Sequence, residues 1–260
     1  DIFEKRKALS VKKMKTKSFL VLITALGLGG SAFAQTVSEP MTNIVKNAFS
    51  LTQKVLELSS TNYLVNLPIP DANASGVIST KEFSSSITRI GDVNVTLSIS
   101  GSFNGDLFAY LSHSSGFSVL LNRVGRSAGN DLGYGDAGFN VKLDDDAANG
   151  DIHTYRLKLS GDEKASIGGA LTGTWASDAR TTDPGAVLST DGRMAQLFSF
   201  YSLDPNGKWT LFLADMSAGG TSTLTSWGLE VTAIPEPSNV ALFVFGGFGL
   251  LLASRYRKKR

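Results

Sequence analysis

The 260-residue chain contains no cysteine and only two histidines. Without thiols it can build no disulfide, no zinc–thiolate site, no iron–sulfur centre and no thiol nucleophile. The folded body must therefore hold together through its core, or through bound ions. His113 and His153 are the only imidazoles. A Ser-His-Asp relay needs its members within hydrogen-bond reach, and the sequence places no such trio together. Surface or sheet positions are expected for both histidines. Positive charge is also scarce away from the two ends. Residues 35–237 hold 13 Lys and Arg against 21 Asp and Glu, a net charge of −8, although the whole chain sums to +2. That body lacks the basic footprint of a nucleic-acid binder.

The positive charge sits in two terminal patterns. Lys12-Lys13-Met14-Lys15-Thr16-Lys17 is a basic region, residues 19–30 are apolar, and Ser31-Ala32-Phe33-Ala34-Gln35 supplies the small residues of an A-x-A site. This is the form of a secretory signal peptide, with cleavage by signal peptidase expected between Ala34 and Gln35. Translation is expected to start at Met14, leaving residues 1–13 as an over-extended gene start.

At the other end, Pro235-Glu236-Pro237 precedes an uncharged stretch over residues 238–254, and Arg255-Tyr256-Arg257-Lys258-Lys259-Arg260 follows. The apolar part, residues 240–253, is shorter than the ~20 residues of a full membrane helix. Its polar flanks must then lie near the interfaces, or the bilayer must thin. The basic end should stay cytoplasmic, which puts everything upstream outside the cytoplasm. A plain C-terminal membrane anchor is one reading. The order and spacing of the three parts also resemble the PEP-CTERM sorting tail of exported proteins of Gram-negative bacteria. That resemblance implies processing near Pro235, Glu236 and Pro237 by an exosortase-type membrane peptidase. The protein would pass through the inner membrane to the envelope or the extracellular space.

Residues 35–66 form a lead-in. Ile44, Ala48, Leu51, Val55 and Leu58 fall at spacings of three and four, which predicts a short helix; a loosely ordered segment is the alternative. From residue 67 the pattern changes. Short alternating apolar runs are separated by clusters of Gly, Ser, Asn, Asp and Thr. Val93, Val95, Leu97 and Ile99 alternate with polar residues, and Leu107, Ala109 and Leu111 keep a similar period of two. Residues 118–121, 139–143, 155–159 and 195–201 predict further short strands. Trp209, Leu211 and Leu213 keep a period of two, and so do Trp227, Leu229 and Val231. No strong helix is expected beyond residue 66. Two sheets packed face to face are the economical solution.

Three stretches carry a second resemblance. The first is Ile69-Pro70-Asp71-Ala72-Asn73-Ala74-Ser75-Gly76-Val77. The second runs from Gly105-Asp106-Leu107 through an apolar strand to Ser114-Ser115-Gly116. The third is Gly207-Lys208-Trp209-Thr210-Leu211-Phe212-Leu213-Ala214-Asp215, followed by Leu224-Thr225-Ser226-Trp227-Gly228-Leu229. Together they resemble the P domain (P/Homo B) that accompanies subtilisin-like proprotein convertases, over residues 67–232. Ser114 or Ser115 stands where that family commonly has proline. The resemblance implies an all-β, jelly-roll-like antiparallel β-sandwich, here flanked by the signal-peptide helix and a transmembrane helix within residues 233–260. It also implies a module that supports a protease without being one. Asp106, Trp209, Asp215 and Trp227 are the matching motif positions, and structural duty is the favoured reading of all four.

One loop invites a metal. Asp144, Asp145, Asp146 and Asp151 crowd a short segment, and calcium favours several carboxylate oxygens. The EF-hand alternation is missing, so a solvated turn is the competing reading; Asp92, Asp131 and Asp136 are weaker candidates. Asn73-Ala74-Ser75 and Asn94-Val95-Thr96 match the glycosylation pattern and are taken as chance. The expected function is an exported, non-catalytic structural or binding module for a polysaccharide or protein. The alternatives are an accessory domain for a subtilisin-like serine endopeptidase and, more weakly, a hydrolase using His113 or His153.

Overall fold

The computed structural model describes residues 57–234. Ala34, Gln35, Pro235, Glu236, Pro237, the expected leader, the expected membrane helix and the expected lead-in helix (apart from Leu58) lie outside the described residues. Nine strands are present: β1 (Leu58–Ile69), β2 (Asn73–Phe83), β3 (Ile90–Gly101), β4 (Leu107–His113), β5 (Gly116–Asn122), β6 (Phe139–Leu143), β7 (Leu171–Trp175), β8 (Gly207–Asp215) and β9 (Ser222–Ala233). One short helix, α1 (Tyr155–Ser160), and three 3-10 turns lie in the connections. The strands form a five-stranded sheet, β1-β9-β3-β6-β7, and a four-stranded sheet, β2-β8-β4-β5. Among the described residues, no helix is long and apolar enough to cross a membrane.

Alternation builds both inner faces. On β3 the side chains of Val93, Val95, Leu97 and Ile99 are buried; on β8 those of Trp209, Leu211 and Leu213 are. The two sheets turn these faces into one shared core that also holds Trp175, Leu229 and Val231. Each buried Trp removes roughly 150–250 Å² from water, which at about 25 cal/mol per Å² contributes on the order of 4–6 kcal/mol before the entropy of ordering is subtracted. β9 breaks strict alternation, since Leu224 and Trp227 both point inward. A register shift opposite Ser98 and Ile99 absorbs the extra residue, as a β-bulge does.

The observed strands differ from the sequence expectation in four places. The first strand begins at Leu58 rather than Leu67, because residues 58–64 pair with β9 from Leu58↔Thr232 to Leu64↔Ser226. Leu58 itself faces solvent, not a helical stripe. Residues 155–159 form α1 instead of a strand. The Tyr155, Leu157, Leu159 alternation does not mark a buried face here: Tyr155 and Arg156 are buried while Leu157 and Leu159 are exposed. Residues 197–200 are a 3-10 turn, in which Leu197 and Phe200, three apart, share the buried face and Phe198 is exposed. Finally, β6 and β7 pair in parallel. A parallel pair requires a long crossover, and residues 144–170 provide it, carrying α1 and His153.

A tight backbone approach occurs at Gly228, between β1 and β3. A Cβ there would fall on the Thr61 carbonyl oxygen and lie 2.7 Å from Thr96 Oγ1. Gly169 has open space around it. We predict that Gly228→Ala loses about 1–3 kcal/mol, the usual cost of overpacking, while Gly169→Ala is close to neutral. Thermal unfolding of the two variants side by side checks this; equal melting temperatures would refute it.

Candidate functional site

The crossover between β6 and β7 and the segment after β7 carry a cluster of buried charge, His153, Arg156, Asp178 and Arg180. Asp151 caps the Ile152–Thr154 turn by accepting from the His153 backbone N–H at 2.9 Å. Ile152 N–H donates to the Ala176 carbonyl and Ala176 N–H to the Gly150 carbonyl, pinning this turn beside the extension of β7. His153 is thereby set against Asp178, its Nδ1 2.7 Å from Oδ2. Its Nε2 lies 2.9 Å from the Arg126 carbonyl oxygen. Asp178 also accepts from the Asn122 backbone N–H and from Arg180, and Arg180 reaches on to Asp151 at 2.7 Å. The side chains of His153 and Asp178 are wholly buried.

A histidine beside an aspartate suggests part of a catalytic relay, but the second nitrogen decides the matter. In a relay Nε2 must face a nucleophile. Here it faces a carbonyl oxygen, and Nδ1 faces a carboxylate, so both nitrogens carry protons. Burial on its own would lower the His153 pKa; the hydrogen bond and charge of Asp178, with the Arg126 carbonyl, outweigh it and raise the pKa above the ordinary 6.5. His113 is equally enclosed. Nδ1 lies 2.9 Å from the Lys208 carbonyl oxygen and Nε2 2.7 Å from that of Asp204, and the ring stacks on Trp209 at 4.2 Å. Both histidines are therefore buried and held by the protein's own oxygens; His113 occupies a sheet position at the end of β4, as expected, whereas His153 lies in the Ile152–Thr154 turn and begins no strand.

A second hub forms around Asp136. Its Oδ2 accepts from Tyr155 at 2.6 Å and from Arg156 at 2.7 Å; its Oδ1 accepts from Ser166 at 2.6 Å and from the Ile167 backbone N–H at 3.0 Å. Desolvation pushes its pKa up, yet these four donors win and hold it at about 2. Arg156 in turn lies over the Tyr134 ring at 4.7 Å.

Asp106 sits in the Asn104–Asp106 turn that starts β4. Burial is the main influence and raises its pKa to about 6; Asp215 and Asp71 add to this, against the opposing pull of Arg123 at 3.3 Å. Arg123 also donates to the Gly105 carbonyl at 2.7 Å. Asp106, Phe103, Leu132 and Ser217 line a shallow cavity of about 240 Å³. Asp106 can exchange a proton near neutral pH, but neither histidine lines that cavity.

The acidic loop does not converge. Asp144 accepts from the Asp146 backbone N–H, Asp145 from Ser177 and from the Phe198 N–H, and Asp151 pairs with Arg180. Among the described residues, no group of three or more His, Asp or Glu side chains could hold a metal ion. Of the motif positions, Trp209 donates to the Pro205 carbonyl at 2.8 Å and Trp227 to Ser79 Oγ at 2.9 Å. Asp215 accepts from the Ser217 backbone N–H, tying the loop that follows β8. Sequence reasoning missed His153–Asp178–Arg180 and underrated Asp136. The available signal was a set of charged residues inside otherwise small or apolar text, as in Trp175-Ala176-Ser177-Asp178-Ala179-Arg180.

Removing one partner of a buried ion pair costs about 3–5 kcal/mol, so Asp178→Asn should lower stability by that order at pH 7 in urea unfolding. The two hubs should also respond to pH with opposite signs. Asp136 has a depressed pKa, so its contribution is present above 3.8 and is lost as pH falls through about 2. His153 has a raised pKa, so its contribution is full below 6.5 and is lost as pH rises through the folded value. Stability curves should lose the acid limb in Asp136→Asn and keep it in His153→Gln. The same acid limb in both variants would refute this assignment.

No protein-family model matches the chain, and no curated protein matches it. Among solved structures it is similar to the serine protease of Aeromonas sobria in complex with the chaperone ORF2, at 16% identity and a TM-score of 0.36, over 75% of this chain and 30% of that one. It is also similar to the serine protease of Aeromonas sobria alone, at 15% identity and a TM-score of 0.34, over 74% and 30% of the two chains. The chain thus spans under a third of the length of these proteins.

Proposed function

We propose that the chain is an exported, non-catalytic module with a P-domain-like, jelly-roll-like β-sandwich as its body, sorted to the cell envelope or beyond by its PEP-CTERM tail. The observation that carries the non-catalytic part is the enclosure of all four imidazole nitrogens. Each lies 2.7–2.9 Å from a carbonyl or carboxylate oxygen of the protein itself, which leaves neither histidine free to take a proton from a substrate. The sorting part rests on the order of Pro235-Glu236-Pro237, apolar span and basic end. β9 ends at Ala233, and the motif follows in the sequence from Pro235. Signal peptidase and an exosortase-type peptidase are its processing partners in this reading.

The motifs around Asp106, Trp209 and Trp227 favour a second reading, an accessory domain for a subtilisin-like protease made elsewhere. The two readings separate by pull-down from the native host. A co-purifying protease whose activity falls when this protein is removed would establish the accessory role.

For the leading reading, intact mass of the secreted form should correspond to cleavage after Ala34 and a second cut near Pro235. Fractionation with and without the cognate peptidase should move the protein from the inner membrane outward. An uncut, inner-membrane protein in both strains would refute sorting.

A further inference from the structure

The outer face of the four-stranded sheet departs from the rule for a half-exposed sheet. Positions pointing away from the core should be polar, yet β8 and β4 carry large apolar side chains on both faces. On the solvent side, Phe212 of β8 lies opposite Ile78 of β2 and Tyr110 of β4. Phe108 and Phe117 extend the group along β4 and across to β5. Tyr110 stacks on Phe212 at 4.8 Å, meets Phe117 at 5.1 Å, and Phe108 joins both Tyr110 and Phe212 within 6.3 Å. Ile78 is 61% exposed and Phe117 40%. A contiguous exposed apolar patch of this kind marks an interaction surface.

Its surroundings select the partner. Two residues along each strand, about 7 Å away, runs a parallel row of hydroxyls. Thr210 pairs with Thr80 on one side and Ser112 on the other, and the two threonine hydroxyls are 3.1 Å apart. One acid and one base, Glu82 and Lys208, stand opposite each other at the margin and cancel. Residues 35–237 carry a net charge of −8, yet this face carries none. A polyanion would find no surplus of cations here, and a basic peptide no surplus of acids. An uncharged ligand with apolar faces and hydroxyl edges matches both rows at once.

We propose that this face binds a neutral polysaccharide lying across the strands. Its C–H ring faces rest on the Ile78–Phe212–Tyr110 row and its hydroxyls meet Thr80, Thr210 and Ser112. The inference rests on the non-catalytic module proposed above and names the surface and ligand class it would use.

The test is native affinity electrophoresis of the full chain in mild detergent, in gels containing dextran, laminarin, galactomannan or polygalacturonate. At least one neutral polymer should retard the protein, and polygalacturonate should not. Tyr110→Ala and Phe212→Ala should weaken retardation tenfold or more. Ile78→Thr and Phe117→Ser change exposed side chains outside the core, and should weaken it at least threefold while leaving the melting temperature in place. Retardation by no neutral polymer, or retardation indifferent to all four variants, overturns the proposal. Sedimentation of the same samples provides the remaining outcome: self-association abolished by Phe117→Ser would make the face an interface between copies and likewise overturn it. A protein that fails here can still be cut and sorted, so this inference and the sorting reading fail separately.

Discussion

The indole N–H of Trp227 on β9 donates to the hydroxyl of Ser79 on β2, 2.9 Å away. This one contact joins the two sheets through a polar atom inside an apolar core. β9 is flanked on both sides, by β1 and β3, so a shift of Trp227 would move three strands together. Tyr63 of β1 packs on the same indole at 5.1 Å, and its hydroxyl donates to the Glu82 carbonyl on β2 at 3.0 Å. The sheets are thus aligned by matched polar atoms where greasy packing alone would let them slide. Buried polar pairs of this sort confer uniqueness more than raw stability.

The absence of cysteine finds its counterpart in the charged hubs. Long connections such as residues 144–170 and 176–206 must be held down by something other than disulfides. His153, Asp178 and Arg180 fasten one, and Asp136 with Arg156 and Ser166 fastens the other end of the same crossover. Each carboxylate faces two or more donors, the condition under which buried charge is tolerated. Of the carboxylates that seemed to invite a cation in the sequence, Asp151 meets Arg180, Asp145 meets Ser177 and the Phe198 N–H, and Asp144 meets the Asp146 N–H two residues on.

Period-two text was a faithful guide wherever one face met the core and the other met water. β3 and the second half of β9 were legible for that reason, down to Val93 and Trp227. β1 was not, because Leu58 and Leu64 face outward while Tyr63, Val65 and Leu67 only partly bury. An edge strand needs only a weak pattern, since its neighbour β9 supplies the hydrogen bonds. Residues 155–159 misled in the opposite sense: alternation is a property of the letters, whereas the local conformation was set by Arg156 reaching Asp136. The His153 hub was illegible for the same reason. Its members come from residues 122, 126, 151, 153, 178 and 180, and only the parallel β6–β7 crossover brings them together. Nothing local in the text records that crossover.

The pairing of β1 with β9 has a mechanical side. Leu58 lies opposite Thr232, and the Ala233 N–H donates to the Glu57 carbonyl, so the chain enters and leaves the folded body at a single corner. Tension between these two points would load the β1–β9 ladder one rung at a time, as a zipper is opened, and such a ladder yields at low force. Tension applied at the Ala233 end alone, against drag on the rest, passes instead into a strand bonded along both edges. The body is therefore suited to hanging from one end like a tag on a cord, and poorly suited to serving as a link in a chain under load.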